Sequence, residues 1–227
     1  MIKKMFIILI LFVGIIAAAA FMLYNSSDHS TLGLNSKGYV TKDVYAHYGT
    51  SGPKIAIITG MHSREISSKT VVPEVIKLYA LTHNAEIVNY KVTVTDSPQD
   101  FTTGRHNGES LVAKYIVPDV AKSDYSLVII CHNHEKGYGT NGYYIATPTM
   151  DTKSVTLGEA VHKLLPDFKY YQRNTDTKTE STSINGVDYP IANTGTAVFV
   201  YEIPEWLGDS NVFSNSNRLI DACFNSI

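Results

Sequence analysis

Three short apolar runs constrain the architecture of this chain more than any other feature. They are residues 54–59 (KIAIIT), 125–131 (YSLVIIC) and 197–203 (AVFVYEI). Runs of this length and composition are typical of strands that are covered on both faces. Stretches with helical spacing of apolar residues lie between them, among them 67–81 and 155–165. This alternation predicts an α/β domain with three layers, α/β/α, around a central mixed β-sheet.

The N-terminal segment is apolar over the length of a membrane span. Lys3 and Lys4 precede residues 5–24, which carry no charge, and about 20 such residues cross a bilayer. Residues 1–24 are therefore interpreted either as a transmembrane anchor or as a signal peptide with small residues available for cleavage. Because the lysines precede the apolar stretch, the rest of the chain is expected to face outward, anchored to the membrane or secreted after cleavage. Residues 25–37, rich in Ser, Asn and Gly, are predicted to be a linker, and 38–227 a single folded domain.

Composition and missing motifs exclude several classes of function. The net charge is −2 and the 19 basic residues are scattered, so a nucleic-acid partner is not expected. Two cysteines, Cys131 and Cys223, allow at most one disulfide. The sequence has no Gly-x-Ser-x-Gly, no phosphate-binding Gly-x-x-x-x-Gly-Lys and no His-Glu-x-x-His. Serine hydrolases, nucleotide enzymes and zincin-type proteases lose their main support.

Ionisable residues occur where each apolar run ends. The first run leads to GMHSRE, the second to HNHE, and the third contains Glu202 near its end and is followed by Glu205. Ligands and catalytic groups gather at the carboxyl ends of strands in α/β sheets. These side chains are therefore expected to converge at one edge of the sheet.

His62 and Glu65 are spaced as a pair of metal ligands would be. Residues three apart lie on one side of a single turn, so an imidazole and a carboxylate can reach the same ion. A third ligand from a distant strand would complete a His₂Glu set with an open fourth position, which is the arrangement of catalytic zinc sites. His132 is the preferred third ligand, and His134 is the alternative because it points to the same side if the strand continues.

With these segments in place, the sequence resembles the zinc carboxypeptidase-like superfamily, which includes aspartoacylase and succinylglutamate desuccinylase. The resemblance rests on IITGMHSRE, LVIICHNHE and VFVYEIPEW, which occur in the order found in the family and together span residues 54–206. It implies a carboxypeptidase-like fold, a Zn²⁺ cofactor and hydrolysis of an amide bond.

The resemblance also assigns expected roles to particular residues. Glu202 matches the catalytic glutamate, with Glu205 as its substitute if the register is shifted. Arg105 lies where the family places its substrate-binding arginines and is expected to stabilise the oxyanion. Asn107 and Tyr189 are further candidates for substrate binding. The family has an Asn-Arg pair, whereas this chain has Arg105-His106-Asn107 in the other order.

Three functions follow as expectations. The first is a zinc-dependent hydrolase of peptides or cell-wall peptides outside the membrane. The second is a deacylase of N-acyl amino acids like aspartoacylase or succinylglutamate desuccinylase. The third is a non-catalytic surface protein that keeps the fold and uses its pocket for binding. The sequence does not choose between zinc and another divalent ion, since His₂Glu sites accept several.

Overall fold

The predicted buried runs form the centre of one eight-stranded mixed sheet. The computed structural model describes residues 2–49, 52–176, 178 and 181–227. The strands are β1 (Asp28–Asn35), β2 (Gly38–Tyr45), β3 (Lys54–Thr59), β4 (Glu86–Val94), β5 (Leu127–His134), β6 (Tyr144–Thr147), β7 (Lys169–Gln172) and β8 (Ala197–Pro204). Their order across the sheet is β1-β2-β4-β3-β5-β8-β6-β7. The four central strands β4, β3, β5 and β8 are parallel, whereas β2 and β6 are antiparallel to their central neighbours.

Helices cover both faces of this sheet. They are α2 (Ile66–Thr70), α3 (Val72–Thr82), α4 (Phe101–Leu111), α5 (Val117–Val120), α6 (Thr152–Leu164), α7 (Tyr189–Ala192) and α8 (Asp209–Phe224). Helix α1 (Ile2–Asn25) precedes the sheet and lies outside these layers, with its side chains exposed from Lys4 to Leu23. Alternate residues of β3 enter two separate cores: Ile55 and Ile57 pack with α3, α6 and α8, while Ala56 and Ile58 pack with α4, α5 and α7. The predicted three-layer α/β/α architecture is confirmed.

Two π-helical turns interrupt the second of these helical layers. They are Val112–Ile116, between α4 and α5, and Ile184–Asp188, before α7. Each is followed by a proline at the second position of the next helix, Pro118 or Pro190. A proline ring collides with the carbonyl four residues earlier in a regular α-helix. In both cases that carbonyl belongs to the π turn, whose wider spacing accommodates the ring.

The start of the folded domain differs from the sequence prediction. Residues 25–37 were expected to be a linker, but Asp28–Asn35 form β1 and pair with β2 from Asp28–Val44 to Asn35–Gly38. The Ser, Asn and Gly content of this segment does not predict a strand. The strand forms because β2 provides an edge with which its backbone can pair. Only Ser26 and Ser27 separate α1 from the sheet.

Helix α4 also begins earlier than expected. The sequence pattern predicts a helix over 109–116, whereas α4 begins at Phe101, where the Asp100 side chain caps it by accepting a hydrogen bond from the Thr103 N–H at 2.6 Å. The Thr, Ser, Asn and Gly content of residues 173–196 predicts a loop, but this segment contains the second π turn and α7. Its residues 177, 179 and 180 lie outside the described residues. These two changes matter because α4 and the second π turn border the functional site.

The two cysteines are core residues. Cys131 and Cys223 are both buried in the core formed with α3, α6 and α8, and both are free thiols. The disulfide that the sequence allowed is not formed.

Candidate metal centre

A tight turn after β3 presents the first two candidate ligands. The turn starts at Gly60, whose φ of +75° disfavours other residues, and a Cβ there would lie 2.6 Å from the Val92 carbonyl oxygen. The Glu65 N–H then donates to the His62 carbonyl at 3.1 Å, which closes the turn. Both side chains therefore point to the same place just before α2 begins.

The third candidate ligand, His132, comes from β5 and lies beside the other two. His62 Nδ1 lies 2.8 Å from Glu65 Oε1, and His132 Nδ1 lies 3.0 Å from Glu65 Oε2. The two imidazole rings stack with their centroids 4.4 Å apart. One ligand atom from each of the three residues lies within 4.8 Å of the other two, and all three residues are buried.

The spacing fits a small tetrahedral cation. Bonds of about 2.0 Å from zinc to nitrogen or oxygen place neighbouring ligand atoms about 3.3 Å apart in a tetrahedron, close to the separations seen here. A buried carboxylate between two imidazoles also favours a cation electrostatically. Burial opposes the charge of Glu65, but its contacts with His132 and His62 lower its pKa to about 2. The donor set of two nitrogens and one oxygen is that of catalytic zinc sites.

His134 lies outside the cluster of candidate ligands and has other contacts. Its Nε2 lies 3.1 Å from the Gly142 carbonyl oxygen, and its Nδ1 lies 3.2 Å from the Glu135 carbonyl oxygen. The ring packs edge-on against Trp206 at 5.3 Å. His134 therefore has a structural position beside the site, and His132 completes the triad.

Glu202 lies in the strand next to His132. The two residues are direct partners in the parallel pairing of β5 and β8. Oxygen Oε2 of Glu202 is buried and has no hydrogen-bond partner among the described residues. Burial raises the pKa of Glu202 to about 7, with His132 opposing the rise and Glu65 adding to it. A carboxyl group with this pKa is suited to exchange protons near neutral pH.

A second buried carboxylate, which the sequence reasoning missed, supports the ligand His62. Glu109 Oε1 lies 3.4 Å from His62 Nε2 and accepts a hydrogen bond of 2.6 Å from Ser183 Oγ. Although burial opposes its ionisation, the hydrogen bonds from His62 and Ser183 lower the pKa of Glu109 to about 2. An ionised carboxylate at the outer nitrogen of a ligating histidine fixes the ring and makes the inner nitrogen a better donor.

Two glycines allow α4 to bring Glu109 this close. A Cβ at Gly108 would lie 1.6 Å from the Met61 carbonyl oxygen, and one at Gly104 would lie 2.9 Å from the Ser97 carbonyl oxygen. The absence of side chains on this face lets the helix backbone rest on the ligand turn. Arg105 and Glu109, one helical turn apart, are in this way held beside His62.

The triad opens into a cavity of about 480 Å³, which is within the range of small-molecule sites. Its lining includes the three ligands, Glu202 and Glu205, and the two arginines Arg64 and Arg105. Arg105 Nε lies 3.5 Å from Glu109 Oε1, and its side chain remains 39% exposed. Its guanidinium is thus oriented by Glu109 while it still faces the cavity.

Two predicted substrate-binding residues are placed elsewhere. Asn107 is buried, and its amide donates to the carbonyl of Asp96 at 3.0 Å. The Tyr189 hydroxyl accepts a hydrogen bond of 2.6 Å from Arg173 Nη2. Neither side chain belongs to the cavity lining. In this chain the order of the family's Asn-Arg pair is reversed, and the asparagine, Asn107, contacts Asp96 outside the cavity.

Comparisons with known proteins show the fold. No family model and no curated protein matches the sequence. Among solved structures, a metallo-carboxypeptidase from Burkholderia cenocepacia superposes with a TM-score of 0.60 and 11% identity over 92% of this chain. A metallo-carboxypeptidase from Pseudomonas aeruginosa was solved in complex with (2-guanidinoethylmercapto)succinic acid. It superposes with a TM-score of 0.57 and 9% identity over 92% of this chain and 67% of its own. A putative metallopeptidase from Shewanella denitrificans superposes with a TM-score of 0.52 and 13% identity. This match covers 91% of this chain and 86% of the Shewanella chain.

The chain spans slightly less than two thirds, 66%, of the Burkholderia protein. At these identities the likeness concerns the fold alone. The carboxypeptidase-like fold that was expected from three short segments is confirmed.

Proposed function

We propose that this chain, which has the zinc carboxypeptidase-like fold, is a zinc-dependent amide hydrolase that acts on peptides outside the membrane. The observation that carries the proposal is the buried triad of His62, Glu65 and His132, which opens into a cavity that Glu202 also lines. Three ligands and an open position distinguish a catalytic zinc site from a structural one, which is closed by four ligands.

The triad would hold the zinc ion through His62 Nδ1, His132 Nδ1 and the Glu65 carboxylate. The chemistry that zinc supplies when bound is Lewis-acid catalysis, which polarises a carbonyl group and makes water easier to deprotonate. The protein must supply the remaining functions, which are a base, an acid for the leaving group and charge complementary to the oxyanion.

Glu202 is proposed to act as that base and acid. Its side chain lines the cavity, so its carboxyl group can contact a water molecule or the substrate there. It takes a proton from the attacking water and gives it to the leaving amine nitrogen as the carbon–nitrogen bond breaks. A pKa near 7 lets one carboxyl group serve in both directions at neutral pH.

Arg105 is proposed to stabilise the negative oxygen that forms on the substrate carbonyl. Its guanidinium is oriented by Glu109 and faces the cavity. A fixed cation aimed at developing charge stabilises the transition state more than the ground state. A deacylase of N-acyl amino acids is the second candidate, because the same groups would hydrolyse the amide bond of such a substrate.

The deciding experiment compares Glu202→Gln with Glu205→Gln in zinc-loaded protein. Glu205 lies in the same cavity wall three residues further on and is more exposed, so it is a matched control. We expect Glu202→Gln to retain zinc and to lose about 10²–10⁴-fold in kcat, while Glu205→Gln stays within a few fold of the parent. Assays on short peptides and on N-acyl amino acids separate the two candidate reactions. Zinc-loaded parent protein that hydrolyses neither class would contradict the proposal and favour a binding protein.

A further inference from the structure

The connection between α1 and the folded domain is too short to be a flexible tether. Ser26 and Ser27 are the only residues between α1 and β1. The Ser26 hydroxyl donates to the Leu23 carbonyl at 2.9 Å, and the Ser27 hydroxyl donates to Asp43 Oδ1 at 3.4 Å. Both connecting residues are therefore held, one by the helix and one by the sheet.

The last turn of α1 is attached to α3. The Tyr24 hydroxyl donates a hydrogen bond of 2.7 Å to Glu74 Oε2. Lys77 Nζ lies 2.8 Å from Glu74 Oε1 and 5.6 Å from the centre of the Tyr24 ring. Tyr24 is half-buried by these contacts, whereas every described side chain from Lys4 to Leu23 is exposed. The side chains of α1 are thus exposed along its length, and only its last turn packs against the domain.

Exposed apolar side chains surround this attachment. Leu78 lies one turn after Glu74 on α3 and is 37% exposed, and Tyr48 is 55% exposed with its hydroxyl donating to the Leu81 carbonyl. Residues four apart share a helix face, so Leu78 lies on the side of α3 that receives α1. We call Tyr24, Tyr48 and Leu78 the α3 apolar patch.

We propose that the α3 apolar patch rests on the lipid bilayer that α1 crosses, so that the anchor and the domain form one rigid unit at the membrane surface. The bilayer is the occupant because the patch is continuous with α1. The 22 residues Lys4–Asn25 of this helix are long and apolar enough to cross a membrane. Tyrosines and lysine at the end of such a helix are placed as in the aromatic and basic belts of membrane proteins, with Lys77 as the basic member.

The proposal is tested with the full chain in vesicles of phosphatidylcholine and phosphatidylglycerol that contain a headgroup nitroxide lipid. Both native cysteines are buried, so one introduced cysteine can be labelled selectively with a fluorophore. Leu78→Cys reports on the patch, and Ala113→Cys, exposed next to the core on the opposite face of the sheet, is the control. We expect quenching at position 78 to exceed that at position 113 by at least about twofold, because only the former lies at headgroup depth.

Two further results complete the test. Mass spectrometry of the membrane-extracted protein should show that residues 5–24 are retained. Tyr24→Phe should reduce quenching at position 78 while the protein stays in the vesicles, because the attachment to Glu74 is lost but the helix is not. Equal quenching at both positions, or a mature protein that lacks α1, would overturn the proposal.

Discussion

His132 Nδ1 lies 3.0 Å from Oε2 of Glu65, although 67 residues separate them in sequence. This contact joins the end of β5 to the turn after β3 and brings the last of the three candidate ligands into place. Neither residue reaches the other unless both strands lie side by side in the sheet, so the site depends on the fold as a whole.

Replacement of His132 by alanine should abolish zinc binding. The variant leaves one imidazole and one carboxylate, too few to hold the ion in the His₂Glu arrangement. The matched control is His134→Ala, two residues further along β5, whose ring contacts the Gly142 carbonyl and lies outside the triad. Elemental analysis after dialysis should find about one zinc per chain in the parent protein and in the control, and none in His132→Ala. Equal loss of zinc in both variants would show that the ligand set is different.

Substitution of Glu109 by glutamine should weaken metal binding without removing it. The amide cannot supply the negative charge that now faces His62 Nε2 at 3.4 Å, and loss of such outer contacts costs about 10–100-fold in affinity. Competition titration with a chromophoric chelator measures the change. Glu159→Gln, an exposed carboxylate on α6, is the control and should bind zinc as the parent protein does.

Gly108→Ala should both destabilise the protein and lower its zinc affinity. The added Cβ would lie 1.6 Å from the Met61 carbonyl oxygen, so α4 must move away from the ligand turn and carry Glu109 with it. Overpacking of this kind costs about 1–3 kcal/mol. Gly186→Ala is the matched control, since a Cβ added there would have no atom within 4 Å. Urea unfolding of the detergent-solubilised chain should separate the two variants, and equal midpoints would refute the close approach of α4.

The buried carboxylate of Asp43 should make stability depend on pH. Burial opposes its charge, but His29, 2.6 Å away, and Lys91, 2.9 Å away, lower the pKa of Asp43 below its usual value. Stability from a lowered pKa is fully present above the unfolded value of about 3.9 and is lost as the pH falls through the folded value. Asp43→Asn should therefore cost roughly 1–2 kcal/mol at pH 7, and the difference from the parent should shrink below about pH 4. A constant difference between pH 7 and pH 3 would show that charge is not the cause.

The sequence predicted the parts of the fold and site that depend on local pattern. The three apolar runs and the residues that directly follow them predicted the three buried strands. They also predicted the turn that carries His62 and Glu65, and the position of Glu202 near the end of β8. The same segments favoured His132 but left His134 as an alternative, because alternate residues of a strand point to the same side. The choice between the two depends on the Gly142 carbonyl, which the loop between β5 and β6 brings to His134.

Glu109 and β1 were missed for a related reason. Gly104 and Gly108 lower helix propensity, so the predicted helix began too late to place Glu109 beside Arg105. In the structure Gly108 lets α4 approach the Met61 carbonyl, and Gly104 lets it approach the Ser97 carbonyl. Likewise, the Ser- and Gly-containing segment at 28–35 becomes a strand only because β2 offers an edge to pair with. In both cases tertiary contacts outweigh local preference.

The unbonded state of Cys131 and Cys223 has a consequence for how this protein can be made. Both thiols are enclosed by core side chains and contribute through their volume, so acquiring the native fold requires no oxidant and no isomerase. The same fold is therefore accessible in the reducing cytosol of an expression host and in an oxidising compartment, and a change in the redox potential of the buffer should leave that fold intact.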